Sequence, residues 1–458
     1  MATSLLLPQV LWLRRRLRRH ERWNQAQLSA HQQRATAGLR QFAYERSPFY
    51  RRFHHGLESA PLAELPVLTK AVLMDHFDEI STDQALRLAD VEAYVEDQRG
   101  EELLRGRYWV AATSGSSGRC SIIPTDAHEW AMVIAGYARA NEWAGVRAGP
   151  RHRTRMAVVS STTVWHQSSR VAASVRSPFV ASARLDAAAP LGDTVERLNA
   201  IAPGVLIGYA SMIRVLAEEQ LAGRLRISPR AVNSSSEVLT GASRELATRA
   251  WGMPPFDVYA ATETGGVAAE CDHHVGLHLM EDLVVPEVVD EEHWPVPDGQ
   301  PGARLLATVL FSRTLPLIRY ELTDRIQLST RRCACGRPFR LVAAIEGRTD
   351  DVLTLPAADG ATVRVHPVVF HQVLDLVDAA GWQVRQDADG LQVLLASPGR
   401  GVDPGRLQHD VTAALRAAGA SVPGVRVVDT IPAGAAGKRP LVVAWHAYRA
   451  GTGPAVPS

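Results

Sequence analysis

The sequence predicts an α/β protein, with a large N-terminal unit of mainly parallel sheets with helices and a small α+β unit at the C-terminus. Between residues 108 and 345, short β-branched runs alternate with stretches rich in Ala, Arg and Leu, as is typical of crossover units and parallel sheets. After Gly347 the pattern changes, and short strands surround two helices. The 458 residues exceed the length at which one hydrophobic core keeps growing, so two or more domains are expected. We place the boundary at residues 348–351, which divides the chain into 1–347 and 348–458.

The periodicity of apolar residues places the individual elements. The first 105 residues are predicted to be mainly helical, with a helix from residue 31 to residue 53 that is interrupted near Ser47. Thr69 is a suitable cap for the next helix. The predicted strands are 108–112, 156–160, 205–208, 231–234, 305–311, 363–365, 391–395, 425–428 and 441–445, and the C-terminal helices lie near 368–377 and 404–418.

The composition is that of an ordinary globular protein. Hydrophobic residues make up 46% of the chain, and the formal net charge of +2 gives no overall attraction to nucleic acid or membrane. No run approaches the roughly 18 apolar residues of a membrane-spanning helix. The four cysteines are too few for a disulfide framework. We therefore expect a reducing, cytoplasmic location and no nucleic-acid partner.

The N-terminus combines apolar residues with arginines. The apolar residues 5–7 and 10–13 come before arginines at 14–16, 18 and 19, whereas a secretory signal carries its positive charge first. This order argues against export. The favoured interpretation is an amphipathic helix packed on the body of the protein with its arginines in water, and adhesion to an anionic membrane is the alternative. We accordingly expect no membrane partner.

A Ser/Gly-rich loop is the first candidate ligand site. Small residues let successive backbone N–H groups converge on phosphate oxygens, and hydroxyl groups add donors. The segment lacks the Gly-Lys-Ser/Thr of a Walker loop, and an ordinary turn is the alternative. Its residues, which follow a predicted strand, are Thr113, Ser114, Gly115, Ser116, Ser117 and Gly118.

A second candidate lies at residues 259–266, after a predicted strand. In open parallel sheets, ligands bind beyond the carboxyl ends of the strands. There the ring of Tyr259 can stack on a base, and the carboxylate of Glu263 can hold Mg²⁺. An ordinary loop is the alternative.

Asp324 and Lys438 are two further candidates. One carboxylate can accept both hydroxyl groups of a ribose, which suits Asp324, although a capping or turn role is the alternative. Lys438 belongs to a Gly/Ala-rich loop that is too mobile for a core role. Its amine is therefore free to reach a ligand, and a solvated lysine is the alternative.

Taken together and in this order, the segments resemble those of the acyl-adenylating enzyme superfamily, and within it the phenylacetate–CoA ligase-like branch. The resemblance covers nearly the whole chain and implies a large adenylate-forming domain followed by a small mobile domain. The segments that match branch signatures are Ser47-Pro-Phe-Tyr50, Leu65-Pro-Val-Leu-Thr-Lys70, Glu270-Cys271 with Gly276-Leu-His278 and Glu281-Asp282, and Cys333-Ala-Cys335-Gly336-Arg337.

The resemblance also implies a role for each candidate residue. Residues 113–118 match the loop that grips phosphate. Each remaining match supplies one part of a site for ATP and an acid. These matches are Ser235, Ser236 and Glu237 lining the adenine and acyl pocket, Tyr259 stacking on adenine, Ala260 beside it in the cofactor site, Thr262 binding phosphate, Glu263 associated with Mg²⁺, Asp324 binding ribose, Arg348 beside Asp324, Asp350 as the hinge, and Lys438 as the lysine delivered for adenylation.

The implied activity is ATP-dependent adenylation of a carboxylic acid, an aryl acid by preference, followed by transfer to CoA with release of AMP and pyrophosphate. ATP, Mg²⁺ and CoA are the implied cofactors, and we allow for a homodimer. The segment after Asp351 departs from the Gly-rich continuation of the branch. An amine, a hydroxyl group or a carrier-protein thiol is therefore the alternative acceptor. A non-catalytic nucleotide-binding protein is a third hypothesis, against which Glu263, Asp324, Asp350 and Lys438 argue.

The cysteines suggest a metal site. Cys333 and Cys335 supply two thiolates, and a tetrahedral zinc site would be completed by Cys271 and one of His273, His274 or His278. His278 is favoured because it matches the Gly-Leu-His signature of the branch. Buried free cysteines are the alternative. Four protein ligands leave no open position, so the predicted zinc is structural.

Overall fold

The computed structural model describes most of the chain and confirms the α/β class. The described residues are 6–97, 102–113, 121–149, 152–174, 177–187, 189–348, 353–357, 361–365, 368–374, 377–387, 390–399, 401–421, 424–428 and 442–443. A large mixed sheet with flanking helices forms the N-terminal part, and a smaller α+β unit follows.

The N-terminal part is helical, as predicted. Ser47 ends one helix and begins the next, because its hydroxyl group accepts a hydrogen bond from the N–H of Tyr50 at 3.3 Å. Thr69 caps a later helix by accepting from the N–H of Val72 at 3.3 Å, which confirms its predicted role. The helices are α1 (Leu6–His20), α2 (Gln25–Arg46), α3 (Pro48–Phe53), α4 (Lys70–Asp75), α5 (Phe77–Ile80) and α6 (Leu88–Asp97), with a 3-10 helix at Leu62–Glu64.

The central region alternates strands and helices and then becomes mainly strands. The alternating elements are β1 (Trp109–Ala112), β2 (Ile122–Thr125), α7 (Ala127–Trp143), β3 (Thr154–Ser160), α8 (Gln167–Ser174), β4 (Val180–Asp186), α9 (Leu191–Ile201), β5 (Val205–Tyr209), α10 (Ala210–Leu221), β6 (Ala231–Ser235), α11 (Gly241–Trp251) and β7 (Phe256–Ala261). The strands that follow are β8 (Gly265–Glu270), β9 (Leu277–Leu279), β10 (Val284–Val289), β11 (Arg304–Val309), β12 (Tyr320–Leu322), β13 (Asp324–Leu328) and β14 (Leu341–Arg348).

The largest sheet has nine strands in the order β13-β14-β9-β8-β7-β6-β5-β3-β4. The strands from β4 to β7 pair in parallel, but β7, β8, β9, β14 and β13 pair antiparallel. The expectation of mainly parallel sheets is therefore wrong for half of this sheet. The strands after β7 follow one another without helices between them. Parallel pairing of neighbouring strands needs a crossover connection, so these strands pair antiparallel instead.

The main hydrophobic core lies between the N-terminal helices, α7 and the antiparallel half of the sheet. Helix α7 runs through it and buries Trp130, Ala131 and Ala135 almost completely. Its N-terminus carries a capping box, in which Asp126 accepts from the N–H of Glu129 at 2.9 Å and Glu129 accepts from the N–H of Asp126 at 2.7 Å. This helix therefore begins at a defined position beside the β1–β2 hairpin.

The C-terminal unit has its own hydrophobic core, formed by residues between 353 and 442. It touches the N-terminal part where the Arg214 guanidinium of α10 donates to the carbonyl of Ala379 at 2.7 Å. Residues 349–352, at the predicted domain boundary, lie outside the described residues. The elements are β15 (Leu353–Pro356), β16 (Thr362–Val365), α12 (Val368–Leu374), β17 (Ala379–Asp387), β18 (Gly390–Pro398), α13 (Pro404–Ala417), β19 (Val425–Val428) and β20 (Val442–Val443).

Within the part of the chain that the structure describes, no helix combines the length and the apolar character needed to cross a bilayer.

Candidate active site

The β1–β2 hairpin holds both ends of the predicted phosphate loop. The backbone N–H of Thr113 donates to the carbonyl of Ser121, and the N–H of Ser121 donates to the Thr113 hydroxyl group, both at 2.9 Å. These bonds close the hairpin at the point where the loop leaves it. The predicted residues Ser114, Gly115, Ser116, Ser117 and Gly118 lie outside the described residues.

A cavity lies between this hairpin and the segment that follows β7. Its remaining wall is mainly apolar and comes from α7 and from residues at and after the end of β11. The structure therefore brings the predicted Thr262 and Glu263 beside the hairpin from which the predicted phosphate loop extends. The other lining residues that matter here are Ala111, Ile123 and Thr125 of the hairpin and Gln167 of α8.

The Glu263 carboxylate is positioned by a buried tyrosine. The hydroxyl group of Tyr320 donates to Glu263 Oε1 at 3.0 Å, and the tyrosine side chain is only 1% exposed. Burial, and then the neighbouring Glu263 charge, raise the pKa of Tyr320 well above its usual value. The phenol therefore stays protonated and donates, which leaves the other carboxylate oxygen of Glu263 available for a cation.

The predicted adenine and ribose positions are joined by a second tyrosine–carboxylate pair. The hydroxyl group of Tyr259 on β7 donates to Asp324 Oδ2 on β13 at 2.7 Å. Three strands separate β7 from β13 in the sheet order, so the sheet must curl to bring these atoms together. Asp324 is also the register partner of Arg348 in the β13–β14 ladder, which places the backbone of that predicted neighbour beside it.

A two-step hydrogen-bond chain supports Thr262. The hydroxyl group of Tyr137 donates to Gln167 Oε1 at 2.8 Å, and Gln167 Nε2 donates to the carbonyl of Thr262 at 2.9 Å. Burial raises the pKa of Tyr137. Sequence reasoning missed Tyr137 and Gln167, since neither belongs to a motif, whereas Tyr320 lies inside the Arg319–Asp324 segment and could have been noticed.

The end of β6 carries the residues predicted to line the adenine and acyl pocket. Ser236 follows Ser235 with φ of 69°, in the left-handed region. The turn aims Glu237 at the start of α10, where its carboxylate accepts from the N–H of Ser211 at 2.8 Å. Ala260 lies within β7 opposite Gly266. Asp350 and Lys438 lie outside the described residues.

A separate cluster joins the four residues predicted to bind zinc. Cys271, His278, Cys333 and Cys335 offer ligand atoms that all lie within 4.8 Å of one another. The sulfur atoms of Cys271 and Cys333 are 3.7 Å apart, and Cys335 Sγ is 3.3 Å from His278 Nε2. His274 is not in this cluster, because its Nδ1 lies 3.2 Å from the Glu270 carboxylate. Of the three candidate histidines, His278 is therefore the one that the fold places with the cysteines.

The fold brings the cluster together from three segments. Cys271 follows β8, His278 lies in β9, and the two remaining cysteines lie between β13 and β14. Gly276 has φ of 131°, and a Cβ atom there would lie 2.6 Å from the carbonyl oxygen of Val342. Only glycine allows this approach of β9 to β14.

The donor set fits a soft divalent metal such as zinc. Burial, followed by the charge of Arg337, lowers the pKa of His278 to about 4, so its imidazole is neutral near pH 7 and can act as a ligand. Burial raises the pKa of the Cys271 thiol. Burial acts in the same sense on Cys335, but hydrogen bonds from Arg337 and Cys333 outweigh it and lower the pKa of that thiol. Three sulfur atoms and one imidazole nitrogen are a common zinc set.

Comparison with known proteins identifies two similar phenylacetate–coenzyme A ligases. The enzyme from Thermus thermophilus is 27% identical over 358 residues, which cover 73% of this chain and 72% of that protein. The enzyme from Pseudomonas putida is 36% identical over 108 residues, which cover 23% of this chain and 24% of that protein. No protein-family model matches the sequence.

Solved structures with the same fold include acyl–CoA ligases. A 2-hydroxyisobutyryl-CoA ligase in the postadenylation state, in complex with R3-HIB-AMP, superposes with a TM-score of 0.73 at 20% identity, over 94% of this chain and 93% of that one. The anthranilate CoA ligase AuaEII, with anthranoyl-AMP, superposes with a TM-score of 0.50 at 16% identity, over 72% and 65%. The chain is therefore similar in sequence to phenylacetate–coenzyme A ligases and shares the fold of acyl-adenylating CoA ligases.

Proposed function

We propose that the protein is an AMP-forming acid–CoA ligase of the phenylacetate–CoA ligase-like type. One observation carries the proposal. Thr262 and Glu263 lie beside the hairpin that holds the Ser/Gly loop. In the nine-stranded sheet, Tyr259 of β7 bonds to Asp324 of β13. The groups proposed to bind phosphate, cation, base and ribose therefore belong to one region of the fold.

The first reaction forms an acyl-adenylate. A carboxylate oxygen attacks the α-phosphorus of ATP, a new P–O bond forms, and the bond to the β-phosphate oxygen breaks with release of pyrophosphate. Two anions must approach each other, and donors placed around the phosphates offset their repulsion. Mg²⁺, held through Glu263, would supply positive charge at these phosphate oxygens.

The chain's own groups prepare this step. Tyr320 holds the Glu263 carboxylate at 3.0 Å and fixes its orientation. Gln167 holds the Thr262 carbonyl at 2.9 Å and so restrains the backbone that leads to Glu263. The hydroxyl group of Tyr259 orients the Asp324 carboxylate, which we propose binds the ribose hydroxyl groups. Preorganisation of this kind lowers the cost of assembling charges during the reaction.

The second reaction moves the acyl group to CoA. The thiol sulfur attacks the acyl carbon, the thiol proton is lost, and AMP leaves. We propose that residues 348–458 form a mobile domain that turns about Asp350, bringing Lys438 for the first reaction and withdrawing it for the second. The separate hydrophobic core of this unit supports the division at residues 347 and 348.

The acid is proposed to be an aryl acid. The first support for this is that two similar proteins are phenylacetate–coenzyme A ligases. Tyr209, near the ends of β3 and β5, is buried, and its hydroxyl group accepts from the N–H of Ser161 at 2.9 Å. Its ring is therefore held in place where an acyl pocket would lie.

The experiment that tests the function separates adenylation from transfer. Purified protein with ATP and Mg²⁺ is offered aryl, fatty and amino acids, first with hydroxylamine as a trap and then with CoA. The proposal expects an acyl hydroxamate for an aryl acid and, with CoA, the acyl–CoA with release of AMP. Hydroxamate formation without any effect of CoA would defeat the CoA step. The absence of hydroxamate with every acid would defeat adenylation. Lys438→Ala should lower hydroxamate formation by about 10²–10³-fold.

A second acceptor class is favoured by one feature of the C-terminal unit. The segment after Asp351 is not the Gly-rich sequence of the branch, and its residues 353–356 form a strand paired with β16. A surface altered at this position suits an amine, a hydroxyl group or a carrier-protein thiol as acceptor. Products formed with such acceptors, but not with CoA, would select this candidate.

We also propose a structural zinc ion at the three-cysteine, one-histidine cluster. The ligand atoms already lie within 4.8 Å of one another, and four protein ligands leave no position for substrate. The ion would join the segments after β8, in β9 and between β13 and β14. Metal binding requires reduced thiolates, which favours a reducing compartment such as the cytoplasm.

A further inference from the structure

Helix α1 is anchored to the body of the protein along one face. Leu6, Val10, Leu13 and Leu17 are at most 7% exposed and pack with α7 in the main core. Polar contacts continue this attachment, since His20 Nδ1 lies 2.7 Å from the buried Asp282 carboxylate. The apolar stripe of α1 is therefore already used within the protein and is not available to a membrane.

The opposite face of α1 exposes two large apolar side chains. Trp12 is 58% exposed and Leu11 is 47% exposed. They are successive residues on the outer side of the helix, and the Arg16 guanidinium lies 5.9 Å from the centre of the Trp12 ring. Tryptophan exposed to this degree among cations is typical of membrane-surface helices.

The same outer face is strongly basic. Arg15, Arg16 and Arg19 are exposed, and Arg22 follows just beyond the helix. The helix contains no acidic residue. Arg14 and Arg18 pair with Glu142 of α7, but no carboxylate among the described residues forms an ion pair with the other four arginines. Because the whole chain has a net charge of only +2, this is a local basic patch.

We propose that the outer face of α1 binds the surface of an anionic phospholipid bilayer. The arginines would meet the lipid phosphates, and Trp12 and Leu11 would enter the boundary between headgroups and acyl chains. The helix would lie flat on the surface and stay docked on α7. A nucleic acid would satisfy the arginines but not the two exposed apolar side chains, so a lipid surface fits better. The sequence alone gave no membrane partner, because it could not show which apolar residues of the helix face outward.

Vesicle sedimentation tests this surface. The purified full chain is mixed with vesicles of phosphatidylcholine alone, and with vesicles in which about a third of the lipid is phosphatidylglycerol. We expect binding to the second kind only, and loss of that binding at about 1 M salt, where charges are screened beyond about 3 Å. Equal binding to both vesicles, or no binding to either, would overturn the proposal.

Two variants assign the binding to α1. Arg15→Glu with Arg19→Glu should weaken binding at least about 25-fold, since each surface arginine contributes about fivefold. Trp12→Ala should also weaken binding to the vesicles that contain phosphatidylglycerol, whether their content of this anionic lipid is low or high. The matched control is Arg249→Glu with Arg406→Glu, which changes the net charge equally at exposed positions elsewhere. Adenylation without vesicles should be the same in all of them, which shows that the variants are folded.

The outcome for the control decides between a local and a general charge effect. If the control pair weakened vesicle binding as much as the α1 pair, the patch would not be the binding surface. If the parent instead bound a DNA duplex through α1 and ignored the vesicles, the partner would be a nucleic acid and the lipid proposal would be wrong. Failure of the vesicle test leaves the ligase proposal untouched, because adenylation is measured separately.

Discussion

Two tyrosine hydroxyl groups fix the two carboxylates that the proposed reaction needs. Tyr320 donates to Glu263 at 3.0 Å, and Tyr259 donates to Asp324 at 2.7 Å. A phenol that donates to one oxygen of a carboxylate restricts rotation of that group and so fixes its orientation. Tyr320 is a positioning residue, because its effect on the reaction passes through Glu263.

Removing the Tyr320 hydroxyl group tests this positioning. Tyr320→Phe keeps the buried ring but loses a hydrogen bond to a charged group, worth roughly 1.5–3 kcal/mol. We expect adenylation to fall about 10- to 100-fold, with a higher requirement for Mg²⁺ and little change in KM for the acid. Initial rates of hydroxamate formation at several Mg²⁺ concentrations measure this.

A matched variant distinguishes positioning from a loss of stability. Tyr108 is also buried, and its hydroxyl group donates at 2.6 Å to Asp83, which is not one of the proposed site residues. Tyr108→Phe should leave the Mg²⁺ requirement unchanged. If both variants raised it equally, or if Tyr320→Phe kept the parent's rate, the positioning role would be wrong.

At this scale, the sequence indicated residues that belong to motifs and missed those that support them. Glu263, Tyr259 and Asp324 were found because their residue types and order are characteristic. Gln167 and Tyr137 were not found, because their role depends on α7 and α8 meeting behind Thr262. That meeting is a property of tertiary packing, which leaves no spacing pattern in the sequence.

At the scale of elements, the junction of α3 with the body contains a buried histidine. His54, just after α3, is 3% exposed, and its ring centre is 5.0 Å from that of Tyr50. Burial, followed by the charge of Arg40, lowers the pKa of His54 to about 4. The folded protein therefore keeps this ring neutral at pH values where an unfolded chain would protonate it.

This histidine should make the protein less stable in mild acid. Between a pH of about 6.5 and about 4, the unfolded state binds a proton at His54 that the folded state does not, so the free energy of unfolding falls as the pH falls. One such group contributes a slope of at most about 1.4 kcal/mol per pH unit. His54→Asn should reduce that slope, as measured by urea unfolding across this window.

The neighbouring exposed histidine provides the control. His55→Asn makes the same exchange at the exposed neighbouring position, so a loss of slope seen with His54→Asn and not with His55→Asn is assigned to the buried ring. Other buried histidines contribute equally to the parent and to both variants. A His54→Asn protein with the parent's slope would show that His54 does not titrate differently on folding.

The elements show why local signals predict some structure and miss the rest. The cap at Thr69 and the helix interruption near Ser47 were predicted, because both depend on bonds made within three residues. The antiparallel strands β8, β9 and β14 were missed. Their pairing is made between residues far apart in sequence, as in Leu341 opposite His278, and β9 has only three residues.

At the scale of the whole molecule, the metal cluster ties together strands that carry part of the main core. Cys271 and Cys333 are members of that core, and Trp143 of α7 lies edge-on to His278 with ring centres 5.6 Å apart. A bound zinc ion would stabilise these segments, because metal bound only by the folded state adds to folding free energy.

The zinc proposal predicts a defined stoichiometry and a stability effect. Elemental analysis should find about one zinc ion per chain, and a strong chelator should lower the melting temperature. Cys333→Ala should lose the zinc and be destabilised by several kcal/mol. Rates per folded molecule should fall little, because the site is structural.

The remaining cysteine is the natural control. Cys120 is the one cysteine that the proposed ligand set does not include, so Cys120→Ala should retain the full zinc content. Parent protein that holds no zinc and melts at the same temperature with and without chelator would contradict the proposed site.

The most direct measurement for the whole account is acid-dependent exchange of labelled pyrophosphate into ATP, in the parent and in Glu263→Gln. The parent should exchange label only when its carboxylic acid is present, because adenylation is reversible and needs both substrates. Glu263→Gln should exchange about 10²–10³-fold more slowly, since one preplaced charge is lost. Exchange that ignores the acid, or that is as fast in Glu263→Gln as in the parent, would contradict acid activation at this site.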